Sequence, residues 1–165
     1  MARRNPWKGA LAGMAGGLVA SYVMNQFQAG ISKLKSKNET QQDGQGSNEE
    51  PATEKAARKI SESVLGRTLR EEQKGPSGSL VHYAFGTAAG GVYGALAEKM
   101  PLARAGFGVL FGSALWFLSD EVAVPMLGLS KGPKQYPFST HASALASHLV
   151  YGAATEAERL GLRAL

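Results

Sequence analysis

Charged residues divide the chain into long uncharged windows and one polar middle segment. Three windows, 9–32, 75–97 and 135–155, contain no Asp, Glu, Lys or Arg over 24, 23 and 21 residues. A fourth, 105–119, has 15 residues and can be lengthened through 101–103 if Arg104 extends toward the lipid headgroups. A helix crosses a ~30 Å hydrocarbon core with about 20 apolar residues. The pattern therefore predicts an all-α protein, a bundle of four transmembrane helices.

Small residues recur at every fourth position within these windows, in the pattern known as a glycine zipper. This spacing lets a neighbouring helix approach closely and is typical of packing in membranes. A soluble helical protein is the alternative, but glycine costs a water-exposed helix roughly 1 kcal/mol relative to alanine. The first window follows Arg3, Arg4 and Lys8 and is expected to be a retained helix rather than a cleaved signal peptide. The predicted packing residues are Gly9, Gly13, Gly17, Gly86, Gly90, Gly94, Gly108 and Gly112.

The polar middle, residues 33–78, predicts a linker followed by one amphipathic helix. Ser47 and Glu50 have capping-box spacing, and Pro51 suits a first helical turn. From Pro51 the pattern predicts about 20 helical residues, ended by the Gly-Pro-Ser-Gly run at 75–78. This helix is expected to lie on the membrane surface or on the bundle. Its predicted apolar face consists of Ala56, Ala57, Ile60, Val64, Leu65 and Leu69.

A short internal repeat suggests how the helices are arranged. Residues 92–98 read VYGALAE and residues 150–156 read VYGAATE, and a histidine precedes each copy. A true repeat predicts two tandem helix pairs in the same orientation, while biased composition could also produce the match by chance. The expected organisation is an N-terminal flank and first span at 1–32, the polar insert at 33–78, and three further spans at 79–165.

Charge and composition narrow the location and the function classes. Four spans place both termini on one side, and the cations on the short flanks favour the cytoplasm for that side. The net charge of +5 is spread over membrane flanks with no aromatic platform, which argues against nucleic-acid binding. Without cysteine there is no disulfide and no thiolate nucleophile. With no catalytic set, phosphate loop or metal-ligand spacing recognised, we expect neither an enzyme nor a cofactor.

From Leu80 to Arg163 the chain resembles the YagU-like small bacterial inner-membrane proteins, a family of unknown function. The Pro-Met-Leu-Gly-Leu run at 125–129 is the most specific part of the resemblance. The resemblance implies a polytopic inner-membrane protein with no established activity, loosely linked in that family to acid tolerance. The other residues that carry it are His82, Tyr93, Ala97, Glu98, Pro101, Gly106, Gly112, His148, Leu149, Val150 and Arg159.

Five ionisable residues in or beside the predicted spans are the candidate chemical sites: His82, His141, His148, Asp120 and Glu121. Ionisable groups inside a membrane are costly and are functional candidates by default. The histidines either hold helices in register through hydrogen bonds, respond to protons near neutral pH, or, least favoured, bind a metal or haem. Asp120 and Glu121 are expected to end the third span just before Pro125, marking the membrane boundary. The alternative pairs Asp120 with Lys131, Lys134 or a protonated His148.

Two functions remain open at this stage. The first is a non-enzymatic scaffold or accessory subunit that packs through glycine-lined faces in the inner membrane. Its partners would be the lipid bilayer and other membrane subunits or a second copy. The second is a pH-responsive or proton-handling protein that contributes to acid tolerance through the membrane histidines and Asp120.

Overall fold

A computed structural model describes residues 5–38 and 50–164, and within these ranges the chain is helical and contains no strand. The all-α prediction is confirmed. The sequence expectations for Arg3, Arg4 and Ser47 concern residues outside the described ranges. Short 3-10 turns at Pro101–Arg104 and Pro133–Gln135 and π-helical segments at Ser61–Leu65 and Phe117–Ala123 connect or extend the α-helices. These are α1 (Pro6–Asn38), α2 (Ala52–Ile60), α3 (Glu71–Lys99), α4 (Val109–Trp116), α5 (Val124–Met126) and α6 (Phe138–Ala164).

Helices α1 and α3 run antiparallel with their backbones in direct contact along the glycine faces. A Cβ added at Gly13 would meet the Gly90 carbonyl oxygen, and one added at Gly90 would lie 2.7 Å from the Gly17 Cα atom. The pairs Gly9 with Gly94 and Gly17 with Gly86 repeat this contact one turn away on either side. Any side chain at these positions would separate the two helices.

Helices α4 and α6 form a second antiparallel pair with the same kind of contact. A Cβ at Gly108 would meet the Gly152 carbonyl oxygen, and one at Gly112 would meet the His148 carbonyl oxygen. Gly108 also has a φ of 83°, a left-handed conformation that disfavours side chains. Helix α1 joins the pairs by packing on α6, where Gly16 approaches the Thr155 carbonyl oxygen.

The amphipathic helix is shorter than the sequence pattern predicts and is turned differently. It ends where Gly66 adopts a φ of 61°, so Leu69 lies outside it. The buried positions are Ala57 and Ser61, whereas Ile60 and Val64 of the predicted apolar face are exposed. Of the two expected locations, the structure places α2 on the bundle, against α3.

The Gly-Pro-Ser-Gly run at 75–78 lies inside α3. The prediction that this run ends the amphipathic segment is therefore wrong. Gly78 is the contact point for α2, since a Cβ there would lie 2.7 Å from the Glu54 side chain. The missing side chain therefore allows close packing of α2 rather than a turn. Pro76 is the sixth residue of α3 and removes one backbone donor in the second turn of this helix.

The third long helix begins and ends later than predicted. Pro101 starts a separate 3-10 turn, and positive φ angles at Gly106, Phe107 and Gly108 reverse the chain before Val109. Helix then continues through the π segment to Met126, so Asp120 and Glu121 lie inside it and do not end it. Pro125 was expected to interrupt the helix, but the helix continues past Val124 to Met126. The wider π turn that precedes it relaxes the i→i−4 pairing that a proline would break.

The interior of the bundle is small or polar and its exterior is apolar. Ser21, Ser147 and Thr155 are almost completely buried, whereas Leu11 is 65% exposed and Leu118 is 60% exposed. One helical stretch in the described ranges, Val109–Met126, is both long and apolar enough to be a candidate membrane span. Four spans are therefore not confirmed by helix composition, because alanine and glycine dilute the apolar character of the other three windows.

Candidate functional site

A cavity of about 880 Å³ opens between α1, α3, α6 and the π segment 117–123, with α2 along one side. Its walls are mainly apolar, with side chains such as Met24, Phe85, Leu115 and Leu118. All five ionisable residues singled out from the sequence line this one cavity: His82, Asp120, Glu121, His141 and His148. They come from three different helical segments that only the fold brings together.

Glu121 and His141 form the closest acid–histidine pair of the cavity. His141 Nδ1 lies 2.6 Å from Glu121 Oε1, and His141 Nε2 lies 3.0 Å from the Pro133 carbonyl oxygen. Because both ring nitrogens face oxygen acceptors, only the doubly protonated imidazolium can donate to both. The pair ties the start of α6 to the π segment.

Asp120 and His148 form a looser pair one helical position away. Asp120 Oδ1 accepts a hydrogen bond of 2.8 Å from the Ser119 hydroxyl, and Asp120 Oδ2 lies 3.7 Å from His148 Nδ1. His148 Nδ1 also lies 3.0 Å from the Ala144 carbonyl oxygen, so this nitrogen carries the ring proton in the neutral tautomer. Of the two sequence alternatives, the structure places Asp120 beside His148 rather than at a helix end.

His82 is the third histidine of the cavity and has an unusual environment. Its Nε2 atom is buried and has no hydrogen-bond partner among the described residues. A buried polar atom without a partner is costly and calls for an explanation at each site. The neighbouring Tyr83 ring stands edge-on to the imidazole at 5.6 Å, and its hydroxyl accepts a hydrogen bond from Asn25 Nδ2.

Sequence reasoning missed a second polar cluster, which lies at the opposite end of the bundle. Arg159 donates to both oxygens of Glu156, with Nε–Oε2 at 2.6 Å and Nη2–Oε1 at 2.9 Å. The Tyr93 hydroxyl donates to the same Glu156 Oε2 at 2.8 Å. These three side chains are almost completely buried. Glu156, the last residue of the second repeat copy, is the buried acceptor of this network.

Glu98 extends the cluster to both ends of the chain. It accepts hydrogen bonds from Arg163 at 2.9 and 3.2 Å and from the Asn5 backbone N–H at 3.1 Å, and Arg159 lies 3.4 Å away. Burial opposes ionisation of Glu98, but these donors and positive charges outweigh it and lower the pKa of Glu98. The signal available in the sequence was the repeat, which places Glu98 and Glu156 at equivalent positions, with Arg159 three residues after Glu156.

The two polar regions differ in what they can do chemically. The cluster around Arg159 is closed, since its acids and cations satisfy one another in the interior. The cavity around Asp120 has room for a molecule and contains polar atoms that the protein does not satisfy. Within 5–38 and 50–164, no three His, Asp or Glu side chains are grouped to hold a metal ion. The cavity is therefore the candidate functional site.

Comparison with known proteins identifies one family. The model of the family described as "Protein of unknown function (DUF1440)" matches residues 61–157, more than half of the chain. The match begins in the π segment after α2, earlier than the resemblance drawn from Leu80, and it covers the candidate cavity residues on α3, 117–123 and α6. No curated protein and no solved structure matches the chain.

Proposed function

This chain belongs to the DUF1440 family, and we propose that it is a non-enzymatic, multi-pass protein of the bacterial inner membrane, similar to the YagU-like proteins. The observation that supports this location is the inversion of polarity between interior and exterior. The inside contains mainly alanine, serine, threonine and ion-paired residues together with Tyr93 and Tyr151, while large apolar side chains such as Leu11, Phe117 and Leu118 face outward. Exposed apolar surface of this extent is typical of contact with lipid or with other proteins.

The position of the two ends of the described chain supports an even number of spans with both ends on one side, and the cations of the short flanks favour the cytoplasm for that side. Asn5 and Arg163 both contact Glu98, so the two ends of the described chain lie at one end of the bundle. An even number of membrane crossings places the two ends of a chain on the same side of the membrane. Fractionation tests the location: the full chain should remain with membranes after an alkaline wash and be released only by detergent. Release by the wash alone would contradict it.

Within the membrane, we propose that the cavity makes the protein respond to pH. The single observation that carries this proposal is His141 between two oxygen acceptors, Glu121 Oε1 and the Pro133 carbonyl. Histidine changes charge between pH 5 and 8. When His141 loses its second proton, one of the two contacts lacks a donor, and the link between α6 and the π segment weakens. Acidification restores the ion pair and tightens the cavity.

Other titratable groups around the cavity surround the Glu121–His141 pair. Tyr136 meets the His141 ring edge-on at 6.5 Å, and Lys131 lies in the same loop. Glu54 faces the cavity from α2. The Asp120–His148 pair and His82 complete the set, so one protonation event changes the charge balance felt by the rest.

Tryptophan fluorescence tests the pH response directly. The chain has two tryptophans, and Trp116 shares a small apolar cavity of about 220 Å³ with His141. In a Trp7→Phe background, emission of Trp116 should change in one step between about pH 5 and 8. His141→Gln should remove the step, while Glu72→Gln, at an exposed site on α3, should leave it intact. A step that persists in His141→Gln would contradict the proposal.

Survival of cells in acid provides the physiological counterpart of this test. Under the proposal, His82→Gln and His148→Gln impair acid survival relative to the parent chain. Unchanged survival at equal expression would argue for a packing role of the histidines.

A scaffold or accessory-subunit function is the second candidate, and one feature favours it. Trp116 Nε1 is buried and has no hydrogen-bond partner within 5–38 and 50–164, and it lies beside the open apolar cavity formed with Phe138, Leu145 and Leu149. A helix of a partner subunit could fill this cavity and accept the indole N–H. Purification in mild detergent tests this reading, since a stable larger complex supports it and a lone monomer counts against it.

A further inference from the structure

The cavity is larger than a proton-responsive pair requires. Its volume of about 880 Å³ lies within the range of small-molecule sites. Most of its wall is apolar, including Met24, Phe85, Leu115 and Leu118, and its polar groups include the acidic side chains of 117–123. A site of this kind suits a molecule with an apolar body and one polar group.

The charges facing the cavity favour a cation as that polar group. Three carboxyl groups face it, Glu54 from α2 and Asp120 and Glu121 from the π segment. The facing cations are Lys131 and, when protonated, His141, so the carboxyl groups outnumber the cations by at least one. The other titratable side chains that face the cavity are His82, His148, Tyr136 and Tyr151.

One carboxylate oxygen that faces the cavity has no close ion-pair partner. Asp120 Oδ2 is 3.7 Å from His148 Nδ1, which exceeds hydrogen-bonding distance, and the Asp120 side chain is 35% exposed. This oxygen can therefore accept a hydrogen bond from a donor in the cavity.

From these observations we infer that the cavity binds an apolar organic cation with N–H donors, such as a protonated amine with an aromatic or alkyl body. The positive charge and the N–H groups of the ligand pair with Asp120, while Phe85, Leu115 and Leu118 contact the apolar body. This inference deepens the proposed function and rests on it for its link to pH. Protonation of His141 adds one positive charge to the cavity wall, so acidification lowers the affinity for a cation and ligand release accompanies proton uptake.

Binding of ethidium, an aromatic cation with amino donors, tests the inference on the full chain in a non-ionic detergent at constant neutral pH. Fluorescence polarisation should show saturable binding by the parent protein. Asp120→Asn keeps the shape of the side chain but removes its charge, and it should weaken binding at least tenfold, about 1.4 kcal/mol. Glu72→Gln removes one charge from an exposed site outside the cavity and is the matched control, with unchanged affinity expected. Equal affinities in the parent and Asp120→Asn would overturn the inference.

A displacement measurement on the parent protein decides the question even if Asp120→Asn does not fold. Octylammonium should displace ethidium, whereas octanoate, with a tail of matching length and a negative charge, should not. Equal displacement by both would show that the cavity selects acyl tails without regard to charge, and the inference would fall. The Trp116 step separates this inference from the proposed function, since ethidium binding without a pH step refutes only the function. A pH step without ethidium binding refutes only the ligand.

Discussion

Replacing Gly90 by alanine tests whether close backbone contact between α1 and α3 stabilises the bundle. The added Cβ would lie 2.7 Å from the Gly17 Cα and 2.9 Å from the Gly17 nitrogen, and it would also meet the Gly13 carbonyl oxygen. Ordinary contact begins at 3.4 Å. The two helices must therefore separate by at least about 0.7 Å at this level, because the Gly13 oxygen is closer still and every opposing atom belongs to backbone and cannot rotate away.

The magnitude follows from two opposing effects. Overpacking of a tight interface costs about 1–3 kcal/mol, and a gap of 0.5–1 Å removes about a quarter to a half of each neighbouring dispersion contact. We expect separation of the two helices to cost about 3 kcal/mol, because the contacts of Gly13 with Gly90 and of Gly17 with Gly86 are lost together. Alanine stabilises the helix by about 1 kcal/mol relative to glycine because of its higher helix propensity. The expected net destabilisation is about 2 kcal/mol.

Gly30→Ala is the matched control, since Gly30 lies in the same α1 helix and has no atom within 4 Å of an added Cβ. Up to about 1 kcal/mol of stabilisation is expected there, so the two variants should differ by about 3 kcal/mol. Unfolding by a denaturing detergent in mixed micelles, followed by circular dichroism, measures both. Equal stabilities of Gly90→Ala and Gly30→Ala would refute the reasoning that the glycine faces hold α1 against α3.

Three further predictions concern the polar contacts. Arg159→Met should destabilise the protein by about 3–5 kcal/mol in the same unfolding assay, because it leaves two buried carboxylates without their shared cation. Arg104→Met, at an exposed site, is the control, and a similar small loss in both variants would contradict this prediction. Glu98 follows the uncharged window 75–97, and its pKa is lowered in the folded protein. Ionised Glu98 therefore stabilises the fold above its ordinary pKa of about 4.3, and this stabilisation is lost as the pH falls through the lowered pKa. Unfolding measured between about pH 6 and pH 3 should show this loss in the parent and not in Glu98→Gln, and the same pH dependence in both would exclude Glu98 as its source. Lys59→Met removes the 2.7 Å hydrogen bond to the Leu127 carbonyl and should expose α2 to proteolysis with a global cost of only about 1 kcal/mol. Unchanged proteolysis would show that this bond does not hold α2.

The sequence alone determined which parts of the chain form the long helices and the glycine faces on which those helices pack. Uncharged windows and four-residue glycine spacing are local patterns, and a helix places residues four apart on one face whatever surrounds it. For that reason Gly13 and Gly90 could be assigned to packing faces without knowing that they would meet. The five ionisable candidates were found by the same local reasoning, since each lies in or beside an uncharged window.

Only the tertiary structure decided which groups meet and which positions end a helix. The Glu98–Arg163 and Tyr93–Glu156 contacts join residues more than 60 positions apart, and no local spacing specifies such a pair. Gly78 has the appearance of a turn residue in the sequence, but its lack of a side chain serves the close approach of Glu54.

Asp120 shows the same limit at the candidate site. Its place beside Pro125 suggested a helix end, whereas the π segment carries the helix past both residues and turns Asp120 toward His148. The physical reason is that a helix boundary and a buried charge depend on the free energy of the whole packed bundle. The distance between two helix backbones and the pairing of acids with cations on different helices depend on how the helices pack. The sequence specifies only which residues lie on each face of a helix.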